Sequence, residues 1–140
     1  MTENLLLNYF NFLLKTNAEF WDMENIKETV ERYTDAWNKK TAAEVKAAFA
    51  QVLADTITYQ DKNTPLVTGI DAFVDLVMSS HEKIPGRTFS LLTEPEYFQH
   101  HCYYSWGINI PGLGEFEGRD YAEYNDEHKL TKIIGFVPTL

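Results

Sequence analysis

The chain is short of cysteine, of positive charge and of chain breakers, and each shortage excludes something. Cys102 is the single cysteine, so no intramolecular disulfide can form and no zinc site can be built on paired thiolates. Only 12 Lys and Arg stand against 21 Asp and Glu, a formal charge of −9 that repels phosphate backbones and anionic membrane surfaces; nucleic acid and membrane are therefore not expected partners. Seven glycines and five prolines are scattered, with no repeat, low-complexity tract or linker that would split 140 residues into several domains. Long hydrophobic runs are missing as well. Leu5, Leu6, Leu7, Phe10, Phe12, Leu13 and Leu14 are interrupted by Asn8 and Asn11, are preceded by Glu3 rather than a basic segment, and are too few to span a bilayer. These features fit a reducing, cytoplasmic setting. What is present is a core: 44% of residues are hydrophobic and 14% aromatic, enough to fill one domain.

Periodicity gives the elements. Leu6, Phe10, Leu13 and Leu14 predict a short helix over residues 4–15, read as core, dimer arm or lid; residues 1–22 form a helical extension and 23–140 the domain proper. Ile26, Val30, Tyr33 and Trp37 recur at spacings of four, three and four, which is one stripe of a helix over 24–39. Thr41 with Glu44 is a capping box that starts a helix using Val45, Ala48, Phe49 and Val52. Residues 55–61 alternate as a half-buried strand with Ile57, Tyr59 and Asp61 on one face. After a loop at Pro65, Ile70, Phe73, Val77 and His81 mark another helix, ended by Pro85 and Gly86. The aromatic and branched stretches 88–92, 97–110, 115–124 and 130–137 are strands separated by turn residues. Helices followed by hairpin-linked strands predict an α+β fold, with a mainly antiparallel sheet curving over the helices and a cavity between them.

The order VERYTDAWN, ADTITYQD, GIDAFVDLV and GRDYAEYNDEHKLTKIIGF resembles the nuclear transport factor 2-like (cystatin-like) superfamily, which includes SnoaL-like polyketide cyclases and ketosteroid isomerases. The resemblance covers roughly residues 24–137 and implies a cone-shaped fold of three helices on a curved mixed sheet, here with an extra N-terminal helix. It also implies a homodimer through the sheet and no cofactor. Compared with the ketosteroid isomerases, ValGluArgTyr places Tyr33 at the oxyanion-hole tyrosine, AlaAspThrIleThrTyrGlnAsp places Asp61 at the general base, and AspTyrAlaGluTyrAsn places Asp120 at the second oxyanion donor. Lys62 stands where those enzymes have proline, and the loop to Gly69 is about one residue shorter, which bears on the steroid substrate more than on the site.

The same residues have ordinary readings. Tyr33 lies on an apolar stripe, where it is either a core tyrosine bonded to a backbone carbonyl or a donor to a developing oxyanion. Asp61 is a strand-end turn aspartate beside Asn63, or a base at the mouth of an apolar pocket. Asp120 shares a face with Ala122 and Tyr124 by alternation. It is a solvated edge charge, a structural acid bonded to Tyr33, or an acid kept protonated in an apolar cavity, of which ketosteroid isomerase is itself the standard example. Trp37, Tyr59, Phe73, Val77 and Tyr124 are expected to line the cavity, with His81 or His100 as an additional acid or base. His100 and Cys102 share a face in an unbroken strand while His101 points away, too few converging ligands for a metal, and none is expected. Tyr97, His101, Tyr103 and Ser105 form a wet stripe opposite Phe98, Cys102, Tyr104 and Trp106, and aromatics on both faces call for a second subunit outside the sheet. The expected ligand is an apolar, carbonyl-bearing small molecule, handled by proton transfer as in an isomerase or cyclase. The alternative is a non-catalytic ligand-binding or interaction module of the same fold.

Overall fold

The computed structural model describes the backbone of residues 2–140 and the side chains of 4–9 and 24–140. Three helices and seven strands follow in the order α1 (Thr2–Ala36), α2 (Ala42–Val52), β1 (Leu53–Asp61), β2 (Thr64–Thr68), α3 (Ile70–Lys83), β3 (Thr88–Leu91), β4 (Glu96–Phe98), β5 (His101–Ile110), β6 (Gly114–Tyr124) and β7 (Leu130–Phe136). The sheet order is β2-β1-β7-β6-β5-β3, with β4 paired to β5; β1 and β7 run parallel and every other pair antiparallel. This is the mixed, mainly antiparallel α+β arrangement expected.

Four local expectations are corrected. The two N-terminal helices are one helix of 35 residues, because nothing between Thr16 and Met23 is glycine or proline. Leu5, Leu6, Leu7 and Tyr9 on it are exposed, while Phe10, Leu13 and Leu14 lie outside the described side chains. The Pro65 segment is a strand, β2, at the edge of the sheet, a position that tolerates proline because its outward N–H has no partner to lose. The stretch 97–110 is broken at Gln99 and His100, which adopt φ of 41° and 71° and end one ladder before the next begins. That break resets the alternation. Phe98 is 68% exposed rather than facing inward with Cys102, whereas Tyr97 is half-buried and Ser105 is buried instead of wet.

The core lies between the sheet and the helices. Val30 and Tyr33 of α1, Phe49 of α2 and Phe73 of α3 pack on Ile57, Tyr104, Leu130 and Ile133 of the sheet. Thr41 caps α2 by accepting the Glu44 N–H at 3.2 Å, as the capping box predicts. Arg87, 2% exposed, ties the turn after α1 to α3: Nη1 donates to the Trp37 carbonyl at 2.7 Å, Nη2 to the Val77 carbonyl at 3.3 Å and Nε to Ser80 Oγ at 2.8 Å. The Trp37 contact sets the cation at the C-terminal end of α1, where the helix favours positive charge. Among the described residues no helix is long and apolar enough to cross a membrane.

Candidate functional site

A cavity of about 250 Å³ opens between α1, α3 and the inner face of the sheet. Tyr33, Trp37, Tyr59, Asp61, Phe89, Trp106 and Asp120 contribute to its wall, with Ser79, Ser80 and Lys83 of α3 on another side. Tyr33 comes from the last turn of α1 and Trp37 from the turn that follows it, so the two reach the cavity from the same end of the helix. Tyr59 and Asp61 are two residues apart on β1 and therefore project together.

Asp120 occupies the middle of β6, 5% exposed. In the β5–β6 ladder Tyr104 stands directly opposite it and Trp106 opposite Gly118. Tyr104 donates its hydroxyl to Asp120 Oδ2 at 2.8 Å, and the Trp106 indole N–H donates to Oδ1 at 2.9 Å. Gly118 makes the second bond possible, because any side chain there would overlap the indole ring. Burial raises the Asp120 carboxyl to about 7, against the pull of those two donors, and the Asp61 charge adds to the rise. Such a group exchanges its proton near neutrality.

Asp61 ends β1 half-buried. Its Oδ2 accepts the Tyr59 hydroxyl at 2.7 Å and its Oδ1 the backbone N–H of Asn63 at 2.8 Å, an Asx turn. Gly135 of β7, paired with Asp120, brings the two acids to one place: a Cβ there would lie 2.9 Å from the Tyr59 hydroxyl, 3.4 Å from Asp120 Oδ1 and 3.5 Å from Asp61 Cβ. Tyr33, 2% exposed, stacks on Phe49 at 6.0 Å. Burial above all, then Asp120 and Asp61, push its hydroxyl well above the usual tyrosine range, so it stays a proton donor.

Thus Tyr33, Asp61 and Asp120 meet at one cavity, together with Trp37 and Tyr59. The other expected lining residues do not reach it. Phe73 and Val77 are fully buried in the core behind the wall. His81 is turned away, its Nε2 2.7 Å from the Lys39 carbonyl. His100 sits in the turn that breaks the strand, exposed, 2.8 Å from Asp126 Oδ1, so the shared face with Cys102 does not exist. Tyr124 is buried farther along β6, with its ring against His100 and His128. Among the described residues no three His, Cys, Asp or Glu converge as metal ligands. Cys102 is buried, its thiol pushed up to about 12, which makes it unreactive. Sequence reasoning missed Tyr104, Trp106 and Gly135. Tyr104 and Trp106 alternate with Cys102 on one strand face, a signal of orientation but not of their shared acceptor.

The chain matches no protein-family model and no curated protein. Among solved structures it is similar to a candidate isomerase of the SnoaL-like family from Agrobacterium tumefaciens, with TM-score 0.74, 20% identity, and 83% of this chain and 99% of that one covered. It is also similar to a candidate SnoaL-like polyketide cyclase from Jannaschia (TM-score 0.64, 11% identity, 81% and 85% covered). A third is a protein of ketosteroid isomerase-like fold from Catenulispora acidiphila in complex with trimethylamine (TM-score 0.63, 16% identity, 79% and 85% covered). The fold is therefore the NTF2-like, cystatin-like one that the order of motifs resembles.

Proposed function

We propose that the cavity binds a small apolar molecule bearing a carbonyl and moves a proton beside that carbonyl, as in isomerisation or aldol-type cyclisation. The observation that carries this reading is Asp120, buried, raised to about 7 and facing the same space as Tyr33 and Asp61. In this scheme the Asp61 carboxylate takes the proton from the carbon next to the carbonyl. Tyr33 and protonated Asp120 donate hydrogen bonds to the enolate-like oxygen, interactions that strengthen as charge develops. The SnoaL-like isomerase and cyclase relatives in fold support the reaction class.

A second reading, a non-catalytic ligand-binding module, draws on the same acid: both Asp120 oxygens already accept bonds from Tyr104 and Trp106. An assay on model β,γ-unsaturated ketones separates the two. Asp61→Asn should lower turnover by about 100-fold or more. Unchanged turnover ends the assignment of Asp61 as base, and ketone binding without turnover by the natural chain favours the carrier. The proposal includes a homodimer through the outer face of the sheet, where Tyr103, Tyr121 and Ile134 stand in register across three strands, to be read by analytical ultracentrifugation.

A further inference from the structure

Proton transfer accounts for Tyr33, Asp61 and Asp120 but not for the row of rings beside them. Tyr59 lies 6.0 Å from Trp37, Trp37 5.4 Å from Phe89, and Phe89 5.4 Å from Trp106, the last two pairs edge to face. All four line the cavity. Both ends of the row finish on a carboxylate: Trp106 bonds Asp120 and Tyr59 bonds Asp61. Gly135, beside the Tyr59 hydroxyl and Asp120 Oδ1, closes the circuit without filling it. Ring faces carry partial negative charge and carboxylates carry full charge, so the combination attracts an organic cation while offering its alkyl groups an apolar surface.

One cation is already in place nearby. The Arg87 guanidinium, which does not line the cavity, lies 4.8 Å from the Phe89 ring centre and 5.7 Å from that of Trp37. At the other end the rings of Tyr59 and Trp106 stand next to the two acids, where a ligand cation would meet carboxylate and ring together. At about 250 Å³ the space is below the roughly 300–1,000 Å³ typical of drug-sized ligands, which suits a head group of few heavy atoms.

We propose that the end of the cavity bounded by Tyr59, Trp106, Asp61 and Asp120 binds a small alkylammonium group, quaternary or protonated tertiary. The inference rests on the cavity being a ligand site, as in the proposed function, but not on proton transfer. The binding depends on pH. Asp120 is faced by Tyr104, Trp106 and Cys102 from β5, Tyr59 and Asp61 from β1 and Tyr33 from α1. Burial keeps the tyrosines and the thiol protonated. Lys83 on the α3 side and Arg87 behind the rings are the nearby cations. The carboxyl of Asp120 is charged above about pH 7 and neutral below it, so an ammonium ligand binds more tightly on the alkaline side.

Calorimetric titration of the full chain with choline and with its uncharged carbon isostere, 3,3-dimethylbutan-1-ol, tests this. Choline should bind about tenfold or more tightly than the isostere near pH 8, and that margin should shrink severalfold near pH 5.5. Asp120→Asn should remove the pH dependence of choline binding and narrow choline's margin over the isostere severalfold; if the variant does not fold, the pH series on the natural chain carries the test alone. Equal affinity for the two probes overturns charge recognition. Absence of choline binding at about 10 mM overturns the proposal whatever the ketones do, and ketone binding in that case leaves the carbonyl reading standing. Choline binding with no ketone turnover has the opposite meaning: the ammonium site stands and the proton-transfer reading fails.

Discussion

Asp61 and Asp120 border the same glycine, yet they are held in opposite ways. Asp61 ends a strand, half-buried, with one bond from a backbone N–H two residues on and one from a tyrosine two residues back. Asp120 stands in mid-strand, 5% exposed, and both of its donors come from the neighbouring strand, 14 and 16 residues earlier in the chain. A strand end lets water and local backbone solvate a carboxylate; a strand centre under helices admits neither. Two side-chain donors offset only part of that desolvation, so Asp120 rises to about 7 despite them. The contrast teaches that accepting two hydrogen bonds does not by itself keep a buried acid such as Asp120 ionised.

Stability against pH should break or sharpen the contrast most strongly. The folded chain holds the Asp120 proton to about 7, against 3.8 as the ordinary value, so it binds that proton more tightly than the unfolded chain does. The resulting stabilisation is fully present below about pH 4, is lost as pH rises to about 7, and changes no further above; its size is roughly 4 kcal/mol. Urea unfolding of the natural chain and of Asp120→Asn at a series of pH values should show the difference between them drifting by that order over that window. A difference that does not drift removes the contrast.

Gly118→Ala acts on the Asp120 side alone. The added carbon overlaps the Trp106 ring, which must shift, at a cost of about 3 kcal/mol in unfolding free energy read from urea curves and with a shifted indole N–H resonance. Tyr59→Phe acts on the Asp61 side and should cost only about 1 kcal/mol, since the Asn63 N–H keeps its bond to the acid. Equal losses in the two variants would erase the distinction between a supported strand centre and a self-sufficient strand end.

What was legible in the sequence is what local periodicity carries. The stripe Ile26, Val30, Tyr33 lies along the core side of α1, and alternation puts Asp120, Ala122 and Tyr124 on the buried face of β6. The Thr41 cap was readable because its partner is three residues away. Strand pairing was not readable. Nothing near Asp120 in sequence announces that Tyr104 and Trp106 will reach it, or that Gly135 will be its neighbour on the other side, because register over such separations is set by the whole sheet. His100 was misplaced for a related reason: Gln99 and His100 take positive φ without the glycine that usually signals it. Pro65 hid an edge strand because a residue that breaks central strands is harmless at the margin.

Gly135 sets how this molecule should be interrogated. Scans that trim side chains ask what each group contributes, and at this position there is no group to remove. The informative experiment here runs in the other direction, by adding a single methyl against the Tyr59 hydroxyl, the Asp120 carboxyl and the Asp61 Cβ, so the smallest possible enlargement reports on three side chains at once.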